Sequence, residues 1–343
     1  MSEKINVGVL GAGTWGIALA RMLANVGHNV TVWSAIGEEI DLLSSTKRHP
    51  NMPEIDLPCQ IEYTKDIKIA CEEKEVIVFA VPSPFVRATA RRASQYISEG
   101  QIIVDVAKGI EEETLYTMTE IIAEEIKNPS VNIVALSGPT HAEEVVKDLP
   151  TTIVSASKDI RSAEYVQSVF NTQCMRVYTN DDLLGVELCG ATKNIIALAC
   201  GVAMGLGCGD NAKAALITRG IAEISRLGAA MGCREQTFGG LAGIGDLIVT
   251  ATSMHSRNFR CGILLGKGVP VEEATAQIGM VVEGLNALPA AIKLARKYEV
   301  QMPIIEAVDD IVSGGVDVSN VIQRLMSRDL KSEVGAVSFE ERG

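Results

Sequence analysis

The sequence is poor in aromatic residues and carries no excess of positive charge. Phe, Trp and Tyr make up 4% of its 343 residues, and 31 Lys and Arg stand against 43 Asp and Glu, a net charge of -12. Nucleic-acid-binding domains present clustered basic residues, and those that bind single strands add aromatic rings for stacking. Because both features are lacking, we expect no nucleic-acid partner. If the ligand is an anion, its positive site must be local.

Signatures of metal binding and membrane insertion are also lacking. The eight cysteines form no C-x-x-C pair and have no histidine cluster nearby, so we expect reduced thiols that pack as small apolar side chains. The longest uncharged run, residues 194–209, is rich in glycine and too short to span a membrane. No cleavable apolar segment precedes the first strand pattern. We therefore predict a soluble cytoplasmic protein without a metal.

The first half of the chain alternates short β-branched runs with helical patterns such as residues 15–27 and 111–126. This alternation predicts a parallel sheet covered by helices on both faces. The predicted strands are residues 5–10, 29–33, 75–81, 101–107, 131–137 and 151–157.

The strand patterns fade near residue 180, where long helical periodicities take over. The sequence thus predicts an α/β fold with three parts. They are a doubly wound, Rossmann-like domain over residues 1–180, an all-helical domain over 181–330 and a frayed tail over 331–343.

A glycine-rich turn lies between the first strand pattern and the first helix pattern. Gly11, Gly13 and Gly16 have G-x-G-x-x-G spacing. In that context the first glycine allows a tight turn, the second lets the backbone approach a pyrophosphate and the third lets the helix pack on the strand. The motif therefore predicts dinucleotide binding at the start of this helix.

The residues after the second strand leave the choice of cofactor open. NAD-specific sites often have Asp or Glu here to hold the ribose hydroxyls, but this chain has Ser34 and Ala35. It also has no arginine there to hold a 2′-phosphate, although Lys47 and Arg48 follow in a loop. We predict use of both NAD and NADP, with discrimination within about 100-fold.

Two lysines stand in unusually apolar surroundings. Lys193 and Asn194 lie at the centre of GVELCGATKNIIALACG (185–201), where a lysine either snorkels to water or has a function. Lys108 follows a buried strand pattern. Its side chain is either exposed at the end of the strand or faces the crevice in which open α/β sheets bind ligands.

Seven segments together identify a resemblance that covers roughly residues 5–330. They are GAGTWG, AKG, SGPT, ELCGATKN, GDNAKAALITRG, GIGDLIVT and HSRNFR. Their order and spacing resemble the bacterial NAD(P)-dependent glycerol-3-phosphate dehydrogenases. The resemblance implies interconversion of sn-glycerol 3-phosphate and dihydroxyacetone phosphate, which supplies the backbone of phospholipids.

The same resemblance implies a set of site residues, with Lys193 as the catalytic group. Substrate contacts are implied for Lys108, Gly138, Thr140, Lys193, Asn194, Asp246, Ser256, Arg257 and Asn258. Besides the three glycines, it implies cofactor contacts for Thr14, Trp15, Val282 and Glu283, and we further predict cofactor contacts for Ser34, Arg48, Lys108, Ala142 and Arg257.

The implied chemistry suits these residue types. Oxidation of a secondary alcohol needs a base for the hydroxyl proton, and the reverse needs an acid. Burial and the nearby Lys108 would lower the pKa of Lys193, whereas Asp246 would oppose this and fix the geometry. Arg257 offers a planar fork for the phosphate. Alternatively, Asp246 only caps a helix and Arg257 is a solvated surface residue.

Several alternatives stay open. Relatives often have His or Arg where this chain has Ala35, so no strict NADP preference is implied. His141 and His255 receive no chemical role. A β-hydroxyacid dehydrogenase and a non-catalytic dinucleotide-sensing protein are the competing functions. The glycine-rich helix is compatible with packing inside the domain or between subunits, so a homodimer is left open.

Overall fold

The computed structural model describes residues 4–314, 318–330, 332 and 333. Within them, eight strands form one sheet. They are β1 (Asn6–Leu10), β2 (Asn29–Trp33), β3 (Glu62–Thr64), β4 (Val76–Phe79), β5 (Ile102–Asp105), β6 (Asn132–Ser137), β7 (Thr151–Ala156) and β8 (Met175–Asn180). The predicted frayed tail, 331–343, lies outside the described residues apart from 332 and 333.

Helices of the first region connect these strands. They are α1 (Thr14–Asn25), α2 (Gly37–Thr46), α3 (Ile67–Cys71), α4 (Val86–Ala93), α5 (Met118–Ile126), α6 (Ala142–Val145) and α7 (Ile160–Phe170). The second region is helical: α8 (Leu183–Gly205), α9 (Asp210–Ala230), α10 (Glu235–Phe238), α11 (Asp246–Thr252), α12 (Arg257–Gly266), α13 (Val271–Ile278), α14 (Glu283–Lys297), α15 (Pro303–Val312) and α16 (Val318–Met326). The predicted fold class, a Rossmann-like sheet followed by helices, is confirmed.

The sheet is buried on both faces. Its order is β3-β2-β1-β4-β5-β6-β7-β8, and the β-branched residues of β1 and β2, such as Val9 and Val32, pack in one cluster while Ile77 and Ile103 pack in another. Because β1 pairs with β2 on one side and with β4 on the other, the connections diverge there. They open a crevice at the carboxyl ends of these strands.

Three details differ from the sequence prediction. The β6–β7 pair is antiparallel, unlike the other strand pairs of the sheet, because α6 is a single turn that does not cross the sheet as a parallel connection would. The sequence pattern also predicts neither of the two edge strands, the short β3 and β8. Finally, the helix predicted over 111–126 begins only at Met118, where Thr117 and Glu120 form a capping box.

The long helix α8 is the core of the helical region. It is the one helix among the described residues that is long and apolar enough to cross a membrane, and 94% of its most apolar stretch is buried inside the protein. A buried core helix meets the same criteria of length and composition. Its neighbours include α9, α11, α12 and α14.

Glycines let α8 and α12 approach closely. A Cβ atom on Gly201 would lie 2.2 Å from the carbonyl oxygen of Phe259, and one on Gly262 would lie 2.1 Å from that of Leu198. Gly205 and Gly266 repeat this contact one turn further on. The glycine-rich stretch therefore packs against another helix of the same chain.

Candidate active site

The glycine-rich turn between β1 and α1 lies at the edge of the crevice. Gly11 has φ +127°, and a Cβ there would lie 2.6 Å from the carbonyl group of Ala80, so the tight turn requires glycine. A Cβ on Gly16 would lie 2.2 Å from the Gly11 oxygen. Gly13 differs, because a Cβ there would meet no atom within 4 Å. Its open side faces space that a ligand can fill.

The start of α1 is suited to a phosphate. Helix α1 follows Gly13, and no side chain among the described residues caps it, so its first N–H groups remain available. These donors and the helix dipole favour an anion. The open side of Gly13 and the uncapped helix thus fit the pyrophosphate of a dinucleotide.

The crevice continues into a cleft of about 320 Å³ between the sheet and the helical region. Twelve residues implicated by the sequence line it: Gly13, Thr14, Trp15, Lys108, Thr140, Ala142, Lys193, Asn194, Ser256, Arg257, Asn258 and Glu283. The structure therefore brings members of both predicted groups, cofactor-binding and substrate-binding, to one cleft.

Two lysines and one carboxylate meet at the inner end of the cleft. Asp246 is 1% exposed, and its Oδ1 lies 2.7 Å from Nζ of Lys193 while its Oδ2 lies 2.6 Å from Nζ of Lys108. Lys108 also donates to the Gly138 carbonyl oxygen at 3.3 Å, as does Thr140 through its hydroxyl at 3.1 Å. Asp246 is the first residue of α11 and does not cap it.

Lys193 does not reach solvent. The residue is 4% exposed and donates from Nζ to the hydroxyl of Thr250 at 2.6 Å. Its pKa is lowered to about 8. Burial is the main cause, the Asp246 carboxylate opposes it, and the Lys108 ammonium lowers the pKa again. At neutral to mildly alkaline pH, Lys193 can therefore both lose and regain a proton.

Thr250 is a cleft residue that the sequence analysis missed. Its hydroxyl donates to the Asp246 carbonyl oxygen at 2.6 Å and accepts from Lys193. The signal available was position, since Thr250 lies four residues after Asp246 and so on the same face of α11.

Two asparagines connect the helices that line the cleft. Asn258 donates from its amide to Oδ1 of Asn194 at 3.0 Å and accepts from the backbone N–H of Gly284 at 2.8 Å. Asn194 donates to the Gly190 carbonyl oxygen at 3.3 Å. These bonds hold α8, α12 and α14 together at the cleft.

Glu283 connects the helical region to the segment that follows β4. Its carboxylate accepts from the Ser83 hydroxyl at 2.6 Å and from the Ser83 N–H at 3.3 Å. Val282, just before it, is buried. The cleft is thus closed on this side by a contact between the two regions.

A cationic end of the cleft lies at the start of α12. Ser256 caps this helix by accepting from the Phe259 N–H at 3.2 Å, and Arg257 is half-buried in the cleft wall. His141 and His255 also line the cleft, with ring centroids 5.7 Å apart. A helix N-terminus beside a guanidinium suits a phosphate group.

Ser34 and Arg48 lie outside the cleft lining. The guanidinium of Arg48 pairs with Asp56 at 2.8 Å, and the hydroxyl of Ser34 donates to Glu39 at 2.6 Å. The guanidinium of Arg48 therefore already has a carboxylate partner, and its predicted contact with the cofactor remains a prediction.

A dinucleotide turn, a sheet switch point and a buried, titratable lysine in one cleft define a class of protein, the NAD(P)-dependent dehydrogenases. Comparisons with known proteins narrow the class. Family models described as NAD-dependent glycerol-3-phosphate dehydrogenase N-terminus and C-terminus match residues 6–163 and 182–323. The chain belongs to the NAD-dependent glycerol-3-phosphate dehydrogenase family.

Individual relatives agree. A glycerol-3-phosphate dehydrogenase [NAD(P)+] of Lactobacillus delbrueckii subsp. bulgaricus is 60% identical over 96% of this chain and 98% of the relative. Another, of Agathobacter rectalis, is 48% identical over 97% of this chain and 99% of the relative. The crystal structure of the glycerol-3-phosphate dehydrogenase of Coxiella burnetii superposes with a TM-score of 0.91 at 36% identity, covering 95% of this chain and 99% of that one.

Proposed function

We propose that Lys193 is the acid and base of an NAD(P)-dependent glycerol-3-phosphate dehydrogenase reaction. The chain interconverts sn-glycerol 3-phosphate and dihydroxyacetone phosphate. The observation that carries the role of Lys193 is its ammonium group, buried in the cleft between Asp246 and Thr250 with a pKa lowered to about 8. A group with such a pKa is matched to proton transfer near neutral pH.

In the oxidative direction, neutral Lys193 takes the proton of the C2 hydroxyl at Nζ. A nicotinamide dinucleotide held at the glycine turn would supply the hydride acceptor for C2 in this direction and the hydride donor in the reverse direction. In reduction, charged Lys193 gives its proton to the oxygen of the C2 carbonyl. One side chain thus serves both directions because its proton is exchangeable.

Asp246 and Lys108 support the proton transfer in different ways. Asp246 fixes both ammonium groups through its two oxygens, so Nζ of Lys193 has one position. Lys108 adds positive charge beside the cleft, where it stabilises the negative charge that develops on the substrate oxygen. The Gly138 carbonyl holds Lys108 from the sheet side.

The phosphate of the substrate binds at the start of α12. The support for this assignment is that Arg257 is the first residue of α12, so its guanidinium and the N–H groups of the first turn occur at the same helix end. Ser256 caps this end by accepting from the Phe259 N–H. Arg257 supplies the local positive charge that this acidic protein needs for an anionic substrate.

We also place this reaction in the cytoplasm, as a supply of glycerol 3-phosphate for phospholipid synthesis. The support is the composition of the chain and its resemblance to bacterial enzymes. The glycine-rich face of α8 packs on α12 of the same chain, so it offers no support for a contact between subunits.

The direct test is loss of NADH absorbance when the protein is mixed with dihydroxyacetone phosphate. Formation of glycerol 3-phosphate in equal amount is the expected result. A β-hydroxy acid with NAD is the comparison substrate and should give no reduction. Turnover of the hydroxy acid without turnover of the phosphate would overturn the proposal.

A further inference from the structure

The hydroxyl of Ser34 donates its single proton to the carboxylate of Glu39. Ser34 follows β2, donates from Oγ to Oε2 of Glu39 at 2.6 Å and accepts from the Ile36 N–H at 3.1 Å. Glu39 lies in the first turn of α2. The bond therefore pulls this carboxylate back to the carboxyl end of the second strand, where the sequence itself has no acidic residue.

Glu39 also lies toward the glycine turn. The buried ring of His49 bonds to the backbone of Ala12, between Gly11 and Gly13, and Glu39 is near enough to act on the same ring. Burial lowers the pKa of His49, and the Glu39 carboxylate opposes this. The Ser34 bond thus fixes Glu39 at the end of β2, and the ring of His49 links this region to the turn that would hold the pyrophosphate. The adenosine ribose of a bound dinucleotide occupies this place in such folds.

The cations around this end of the sheet are engaged elsewhere. Lys47 lies over the ring of Tyr63, with 4.6 Å from Nζ to the centroid. Arg48 pairs with Asp56 at 2.8 Å, and Lys65 pairs with Asp41 at 2.7 Å. A 2′-phosphate would need one of these groups to leave its partner, whereas a ribose hydroxyl needs only an acceptor.

We propose that Glu39 selects the cofactor, by accepting hydrogen bonds from the adenosine ribose hydroxyls of NAD(H) and repelling the 2′-phosphate of NADP(H). A carboxylate has about four acceptor sites, and one bond to Glu39, from Ser34, is present among the described residues. The remaining sites are free for the ribose. The inference rests on the dinucleotide use stated above and specifies which form is preferred.

The test compares dissociation constants without substrate, measured by the change in NADH and NADPH fluorescence on binding. The wild type should bind NADH at least about tenfold more tightly than NADPH, the effect of one hydrogen bond to a charged group. Glu39→Gln should lower this ratio by about tenfold or more, and Glu39→Ala should weaken NADH binding further.

Glu38→Gln is the matched control. Glu38 is the exposed neighbour in the same first turn of α2, so its replacement removes the same charge from the same helix end. Its NADH to NADPH ratio should equal that of the wild type. Thermal unfolding of each variant checks that the fold is retained.

Two outcomes would overturn the inference. One is a wild type that binds NADPH as tightly as NADH, and the other is an equal change of the ratio in Glu38→Gln and Glu39→Gln. A protein that binds NADH selectively through Glu39 but does not reduce dihydroxyacetone phosphate would refute the proposed function and leave this inference standing. Binding and turnover thus separate the two claims.

Discussion

The two ends of the cleft are built in opposite ways. At the nucleotide end, backbone groups of one short stretch, Gly11 to Gly16, form the turn and the uncapped helix start. At the catalytic end, charged side chains converge from three distant segments, at Lys108, Lys193 and Asp246. Local chain geometry fixes the first end, whereas packing of the helical region on the sheet fixes the second.

This difference has an electrostatic consequence. Two ammonium groups share one carboxylate in a buried cluster, so the cluster has an excess positive charge when both lysines are protonated. Buried charge without a partner is costly. Loss of the Lys193 proton relieves the excess, as does arrival of negative charge on the substrate oxygen. On the proposed mechanism, the catalytic end would stabilise the negative charge that develops on the substrate oxygen, whereas the nucleotide end would only bind the cofactor.

The largest expected effect is at the catalytic end. Lys193→Met keeps an apolar side chain suited to a helix and removes the exchangeable proton, so kcat should fall by about 10²–10⁴-fold. NADH binding should be retained, because the glycine turn is unchanged. Steady-state kinetics and NADH titration measure both quantities.

Lys297→Met serves as its control, since Lys297 is an exposed lysine of α14 that lies over Tyr298. This variant should turn over like the wild type. If Lys193→Met remained within about threefold of wild-type kcat, the acid/base assignment would be wrong and Lys108 would be the next group to test.

A smaller effect is expected for phosphate recognition. Arg257→Ala should weaken binding of dihydroxyacetone phosphate by about 1.5–3 kcal/mol, the contribution of a charge-assisted hydrogen bond. KM for the substrate should rise more than the dissociation constant of NADH. Arg226→Ala, an exposed arginine of α9, should change neither. An unchanged substrate KM would reject the role of Arg257.

The pH dependence should report the catalytic lysine. As a base in alcohol oxidation, Lys193 must be neutral, so kcat/KM should rise by about tenfold per pH unit below its pKa and level off above it. The structure places that pKa at about 8. Reduction needs the charged form and should decline above the same pH. An inflection near the ordinary lysine value of 10.5 would show that Lys193 is not buried as described.

Sequence patterns predicted the backbone of the glycine turn more directly than the side-chain contacts at either end of the cleft. The glycine spacing is local, so one stretch of sequence showed the turn. Lys193 was noticeable because a cation interrupts an apolar helix, but its partner Thr250 is a common residue on another helix. Glu39 was missed for a related reason, because it reaches the end of β2 only through Ser34. The partners of a side chain form only when the chain folds, so the sequence shows the residue without showing its contact.

The smallest effect on turnover is expected from Gly13→Ala and Gly201→Ala, two substitutions that test the glycine turn and the helical region separately. Gly13 has φ -68° and ψ 172°, which alanine can adopt, and a Cβ there meets open space. Gly13→Ala should therefore leave the free energy of unfolding nearly unchanged. It should weaken NADH binding by about tenfold, because the backbone can no longer approach the pyrophosphate as closely and hydrogen bonds to a charged group are lost.

Gly201→Ala should do the reverse. Its Cβ would lie 2.2 Å from the Phe259 oxygen, so α8 and α12 must move apart, at a cost of about 1–3 kcal/mol in the free energy of unfolding. NADH binding should stay near that of the wild type, because α8 does not form the glycine turn. Denaturant unfolding and NADH titration of both variants measure the contrast. If Gly13→Ala lost as much stability as Gly201→Ala, the glycine turn would be needed for folding, and its open side would not be explained by a ligand.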